Sequence, residues 1–254
     1  MEKTQIGLQL YTIRDLLKEP KDFTKVLPKV RKIGYRAVET GLGQIKTKEL
    51  KKILDNEGLF VFATHVPIER LINETNAVIE DQKILGAEYV ACPWLPEEYR
   101  GAAGYRKAAK NLSKSGAILA KSGLTLCYHN HAFEFEKFGK KTGLEILYSE
   151  SNPKYLKAEL DTYWVAFGGG DPAAWCLKYS GRLPLVHMKD MVAAKDNTQV
   201  YAEVGKGNLS WKSIIAACKK AGVRWYTVEQ DVCRRDPLES IKISLNNLRK
   251  LGLK

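Results

Sequence analysis

The feature that most constrains this chain is a unit repeated along its whole length: a short apolar or β-branched run, a stretch with helical spacing, then a glycine. Eight such runs recur, at residues 6–9, 37–39, 59–64, 89–92, 125–131, 155–161, 183–189 and 225–230. Successive starts lie 31, 22, 30, 36, 30, 28 and 42 residues apart, about what a strand–loop–helix–loop unit needs. Between runs, Phe23, Val26, Leu27, Val30 and Ile33 form a helical stripe that Gly34 closes, and Leu50, Ile53 and Leu54 precede Gly58. A long helix is expected from about Ile72 to Leu85 before Gly86; others run over 105–121 to Gly123, 209–221 to Gly222 and 237–251 to Gly252. Glycine just past a helix accepts the left-handed turn that sends the chain back into the sheet.

The runs are continuously apolar more than alternating, which suits parallel strands buried beneath helices. Eight units without a break in composition predict one α/β domain over residues 1–254, a single (β/α)₈ TIM barrel. The competing open doubly wound sheet would carry GxGxxG after its first strand, and residues 7–15, GLQLYTIRD, have nothing of the kind. The GGGD at 168–171 follows a later strand, and Asp171 with Pro172 reads as a helix cap and first helical residue.

Composition narrows the class. With 44% hydrophobic and 28% charged residues, the chain can bury a core and is not disordered, collagen-like or a cysteine-stapled miniprotein. No stretch approaches about 18 uninterrupted apolar residues, so no membrane span is expected. The opening MEKTQIGLQLYTIRD lacks the pattern of a signal peptide. Cys92, Cys127, Cys176, Cys218 and Cys233 are odd in number with no CxxC, which reads as reduced thiols in a cytoplasmic protein. The 41 Lys+Arg exceed the 29 Asp+Glu, giving a net charge of +12 that favours anionic partners. The lysines are nevertheless spread along candidate helices (Lys46, Lys48, Lys51, Lys52; Lys107, Lys110, Lys114), as on a solubilising surface. A small-molecule ligand is expected, not nucleic acid and not a membrane.

Reactive groups of a (β/α)₈ barrel gather at the C-terminal strand ends. Those ends carry Glu39, His65, His129, His131, Asp161, His187, Lys189, Asp190, Glu229 and Asp231, and all four histidines of the chain are among them. Asp161 ends a run that should be buried, where an ionised carboxylate needs a partner or a metal; capping a loop is the plainer role. His187 follows Leu185 and Val186, and Glu229 closes the last strand. Together they make an Asp, a His and a Glu from three strands, hard donors suited to Mn²⁺, Mg²⁺, Co²⁺ or Zn²⁺. A fourth donor should come from CYHNHAFEFE: His131 first, Glu134 as the alternative, with His129 and the remaining partner touching substrate or supporting the ligands. His65 is a candidate general acid/base or hydroxyl-binding residue, and Lys189 a candidate partner for a carbonyl or anionic oxygen. Tyr11, Trp94 and Trp164 stand where a ring can cover a sugar face. Gly205, Lys206, Gly207 and Asn208 occupy a phosphate-binding locus of barrels, although a plain loop with Asn208 as helix cap is the preferred reading.

The ordered series LQLYTIRD, GYRAVE, THVP, YHNHAFEFE, ELDTYWV, LPLVHMKDM, EVGKGNLSWKSII and WYTVEQD resembles the sugar phosphate isomerase/epimerase family, the xylose-isomerase-like TIM barrels. The resemblance implies a (β/α)₈ barrel with one divalent metal, manganese among the choices, and aligns the family's metal Asp, His and Glu with Asp161, His187 and Glu229. Strand five departs: sugar epimerases place a metal-binding, proton-transferring glutamate there, and this chain has HNHxFEF, with Tyr128 and His129 near that position. That leans towards the branch resembling keto-sugar isomerases, dehydratases and lyases. The implied activity is a metal-dependent sugar isomerase/epimerase that abstracts an α-proton and passes through an enediolate, with His129, Glu134 and Glu229 as candidate bases and His65 returning the proton. A keto-sugar dehydratase or 3-keto-glycoside lyase/hydrolase would use the same enolate; a non-catalytic sugar-binding barrel is the remaining alternative. The endonuclease-IV-like branch would suit the charge but needs a multinuclear, histidine-rich zinc centre, and four histidines are too few. A homo-oligomer is expected from the resemblance.

Overall fold

The computed structural model describes residues 5–41, 43 and 45–254. Eight strands, β1 (Ile6–Gln9), β2 (Ala37–Gly41), β3 (Phe60–His65), β4 (Tyr89–Cys92), β5 (Thr125–His129), β6 (Lys157–Asp161), β7 (Leu185–Met188) and β8 (Trp225–Val228), form a closed parallel barrel. Each strand pairs with its neighbours in the chain, and β8 returns to β1, with Gly7 opposite both Thr227 and Ala37. The (β/α)₈ barrel expected from the repeats is the fold.

The strands begin and end for local reasons. β6 starts at Lys157 because residues 152–156 close a turn in which Tyr155 and Leu156 donate to the Asn152 carbonyl. β7 begins only after Pro184, which has no N–H to give a ladder. β5 stops at His129, where the chain enters a short 3₁₀ turn over Phe133–Phe135. The helix expected over 72–85 is two helices, Ile68–Asn73 and Thr75–Leu85, broken at Glu74, which has φ −130° and ψ 30°. The break falls in Asn73-Glu74-Thr75-Asn76, where short polar side chains compete for backbone partners; the Thr75 hydroxyl donates to the Leu71 carbonyl at 2.6 Å. Asp171 caps Pro172–Lys178 as expected, accepting from Ala173 N at 3.0 Å. An antiparallel hairpin, Asp190–Ala193 with Gln199–Ala202, stands beyond β7.

Side chains alternate between the helices outside and the barrel interior within. The outward set packs against the helices in the main core, including Leu8, Val38, Val90, Leu126, Leu160, Val186 and Val228. The inward set splits by height. Towards the N-terminal end, Ala37, Phe62, Ala63, Tyr89, Ala91, Cys127 and Leu185 make a separate apolar plug with Trp225, whose ring stacks on Phe62 at 4.4 Å. Gly7 belongs to this layer for steric reasons, since a Cβ there would stand only 2.3 Å from the edge of the Phe62 ring. Towards the C-terminal end the same parity delivers Gln9, Glu39, His65, His129, Glu159, Asp161, His187 and Glu229, all but His65 nearly or wholly buried. No helix among the described residues is long and apolar enough to cross a membrane. All five cysteines are free thiols, with Cys176 and Cys218 in sulfur contact at 3.6 Å.

Candidate metal centre

Asp161 ends β6 and starts the helix Thr162–Phe167, and its two oxygens divide the work. Oδ1 caps the helix by accepting from Trp164 N at 2.9 Å, while Oδ2 is buried without a directed hydrogen bond. The Lys189 ammonium lies 3.0 Å from Oδ2, an ion pair off the hydrogen-bonding direction. Asp161 and His187 are register partners across β6 and β7, so the pleat puts both side chains at one level of the interior. His187 Nδ1 pairs with Glu229 Oε2 at 2.8 Å. His129, at the end of β5, points its Nε2 towards Asp161 Oδ2 at 3.9 Å. One donor atom from each of His129, Asp161, His187 and Glu229 lies within 4.8 Å of every other.

The fourth member is His129, not the expected His131. The two have the same parity in sequence, but β5 ends at His129, and His131 rises to the wall beside the Trp94, Phe133 and Trp164 rings. Glu134 is displaced too. Its Oε1 accepts from the Tyr128 hydroxyl and its Oε2 from His131 N at 2.9 Å, so it staples the turn after β5 from behind, and it does not line the cavity. Burial pushes this carboxyl up to about 7, against the hydrogen bonds that it accepts.

Charge is concentrated beneath the mouth. Lys189 is buried with its ammonium 2.8 Å from Glu229, 3.0 Å from Asp161 and 3.2 Å from Asp231, held there as its N–H donates to the Thr162 hydroxyl. Burial disfavours the ammonium, but Asp161, Glu229 and Asp231 outweigh that and keep it protonated. Burial likewise opposes the Glu229 carboxylate, yet Lys189 and His187 hold it well below the usual carboxylate range. For Asp161 burial prevails and lifts the carboxyl to about 6 despite Lys189. Burial, then Lys189, lowers His131 to about 3, leaving a neutral ring with an unpartnered Nδ1. Burial, with His187 and His131, also holds His129 neutral.

Below this set sit two carboxylates at full burial, Glu39 and Glu159. His65 Nε2 lies 3.0 Å from Glu159 and 3.2 Å from Glu39, while its Nδ1 stands 3.5 Å from the Gln9 amide. Burial works against a charged ring here, but Glu39 and Glu159 raise His65 to about 10. Glu39 appears among the sequence's strand-end acids; Glu159 does not, although standing two residues before Asp161 on one strand puts it on the same side.

A cavity of about 410 Å³ opens above, lined by Gln9, His65, His129, His131, Lys189, Glu229 and Asp231 below and by Tyr11, Trp94, Pro67 and Pro93 nearer the mouth. Tyr11 and Trp94 are 51% and 44% exposed, with Arg14 and Arg100 against their rings, whereas Trp164 packs within the wall. The candidate phosphate loop is already filled. Asp190 Oδ2 accepts from Gly205 N, Gly207 N and Trp211 Nε1 at 2.7–2.9 Å, and Oδ1 from Met191 N and Leu209 N. Asn208 is not the helix cap; its Oδ1 accepts from Ala193 N, and the helix begins at Trp211.

The donor set fits a divalent ion: two imidazoles and two carboxylates, mutually close, with a buried carboxylate oxygen lacking a directed partner. The family model described as the xylose isomerase-like TIM barrel matches residues 27–251. The chain belongs to that family. Among curated proteins it is 22% identical to the rhizopine catabolism protein MocC of Rhizobium meliloti, over 89% of this chain and 80% of that protein. It is 29% identical to an inosose dehydratase of Geobacillus thermodenitrificans, over 50% of this chain and 48% of that one, so it spans about half that relative's length. Among solved structures, a sugar phosphate isomerase/epimerase from Parabacteroides distasonis superposes with a TM-score of 0.84 at 23% identity, over 100% of this chain and 96% of the other.

Proposed function

We propose that this protein is a divalent-metal-dependent enzyme that removes the proton beside the carbonyl of an unphosphorylated keto sugar. The observation carrying the reading is the convergence of His129, Asp161, His187 and Glu229 from four strands on one point in the floor of a cavity with aromatic walls. Those four would hold the ion, with His131 beside the substrate instead of on the metal. A bound divalent ion supplies Lewis acidity, lowering the cost of negative charge on a hydroxy-ketone's oxygens.

The remaining roles fall to groups of the chain itself. Lys189 is a fixed cation reaching the cavity, suited to binding the oxygen that becomes negative. Asp231 faces the cavity and stands outside the metal set, so it is the proton acceptor we favour over Glu229 and His129, which are committed as ligands. Glu134 lies behind the wall and takes no part in the chemistry. His65 lines the cavity, with Nε2 against Glu159 and Glu39 and Nδ1 3.5 Å from the Gln9 amide; backed by two carboxylates, it keeps its proton and is a donor to a substrate oxygen. Trp94 and Tyr11 offer faces to the sugar's C–H surface. Asp190 occupies the loop amides that a phosphate would need, which favours a free sugar.

Returning the proton to carbon gives isomerisation or epimerisation; expelling an oxygen β to the carbonyl gives dehydration. The likeness to inosose dehydratases, and a histidine on strand five in place of a second carboxylate, favour the second outcome. Proton NMR in heavy water, with metal-loaded protein and a panel of keto sugars including keto-inositols and 3-keto glycosides, tests the reading. Metal-dependent exchange of the α-proton is expected, with loss of a β-oxygen substituent where elimination prevails. No exchange with any member of the panel overturns it.

A further inference from the structure

We infer that Glu39 and Glu159 are positioning residues that set the orientation of the histidines from beneath the metal centre. The inference rests on the reading of His129, Asp161, His187 and Glu229 as the donors of a single cation.

Among the described residues there are two overlapping donor sets: His129, Asp161, His187 and Glu229 above, and His65, His129, Glu159 and His187 below. They share His129 and His187. A neutral imidazole has one lone pair, so a histidine that gives it to an upper ion has only an N–H to offer below. The groups the two sets do not share favour the upper one. His65 Nε2 is already engaged by Glu159 and Glu39 at 3.0 and 3.2 Å, whereas Asp161 Oδ2 has no directed partner and Glu229 lines the cavity, which neither Glu39 nor Glu159 does.

The lower atoms stand where that N–H needs an acceptor. His187 Nε2 is 2.8 Å from Glu39 Oε2 and 3.4 Å from Glu159 Oε1, while Nδ1, on the other edge of the ring, faces Glu229. Donation from Nε2 to Glu39 leaves the Nδ1 lone pair for the upper site and makes it more basic. His129 is arranged in the same sense. Its Nε2 faces Asp161, and its Nδ1 stands 3.6 Å from Glu159, too far for a hydrogen bond but on the side that favours a proton there.

His65 links the two acids, its Nε2 between them, so each carboxylate has at least one ring to face. Nothing in packing calls for these acids. They sit directly above an apolar plug, where aliphatic side chains would fill the space without desolvating charge. What they add is direction.

The test measures ion affinity and imidazole protonation in the Zn²⁺-loaded protein. Glu39→Gln and Glu159→Gln keep side-chain shape and remove the charge; Glu39→Asp is the conservative control. Equilibrium competition with a chelator should give one Zn²⁺ per chain in the unaltered protein and in all variants. Affinity should fall by about 10–100-fold in Glu39→Gln, less in Glu159→Gln, with partial recovery in Glu39→Asp. Long-range proton–nitrogen NMR should show His187 bound through Nδ1 with a protonated Nε2, whose proton signal moves on Glu39→Gln. Near-native melting of the Gln variants separates this from a folding defect; a variant that does not fold is replaced by the Asp form at the same position. Unchanged affinity with an unmoved Nε2 signal overturns the inference, as do two ions per chain. Absence of any tight ion in the unaltered protein sinks the metal reading itself, a distinguishable failure.

Discussion

The two halves of the barrel interior are built by one alternation and filled with opposite chemistry. Below, Phe62, Trp225, Tyr89 and small residues close the barrel as a packed plug; above, four buried carboxylates face three histidines and a lysine. Strand geometry dictates that these side chains point inward and is indifferent to what they are. Burying apolar surface stabilises the lower half directly. The upper half is unfavourable to desolvate, and is held only because each acid faces a cation or imidazole at 2.8–3.6 Å. Stability and function therefore reside at different heights of the same strands, and substitutions at the two heights should fail in different ways.

The largest expected effect is on activity. Asp161→Asn keeps the helix cap and side-chain shape but weakens a proposed ligand, and should reduce metal-dependent α-proton exchange by more than about 100-fold while melting stays near native. Equal exchange rates in the two proteins would erase the contrast. Next comes the plug. Phe62→Ala should lower stability by about 3–5 kcal/mol in denaturant titration, with ion stoichiometry unchanged in the folded fraction. Loss of the ion from folded Phe62→Ala would show the halves to be coupled.

Gly7→Ala should be milder, about 1–3 kcal/mol, because a methyl group must displace the Phe62 ring. A further contrast is a pH dependence in the metal-free protein. His65 has its ordinary value near 6.5 when unfolded and about 10 when folded, so its contribution is complete below about 6.5 and lost as pH rises towards 10. Stability measured across that window should decline, and His65→Gln should flatten that part of the decline.

The barrel was legible because its signal is repeated eight times, so an error in one unit leaves the others intact. The site was legible where a polar residue ends an apolar run, as for Asp161, His187 and Glu229, now gathered within one ion's reach. It was less legible where two candidates share a strand face. His129 and His131 have the same parity, and only the end of β5 decides which remains at the level of Asp161. Glu134 drew attention as an acid near the site, but a tyrosine six residues earlier binds it from behind, a contact no local pattern reveals. Glu159 was hidden for the opposite reason: it lies inside a strand, where an acid reads as incidental unless its spacing of two from Asp161 is weighed. Asp190 marks a third limit, since an acid at a strand end also serves as the internal anion of a loop.

The central claim is that residues from four strands share one cation, and the most direct measurement is the metal content of the stripped and reloaded protein. One tightly held divalent ion per chain is predicted, retained in Phe62→Ala and lost or greatly weakened in Asp161→Asn. An unaltered protein that returns no stoichiometric ion after reloading, or an Asp161→Asn variant that holds it as tightly, would contradict the account.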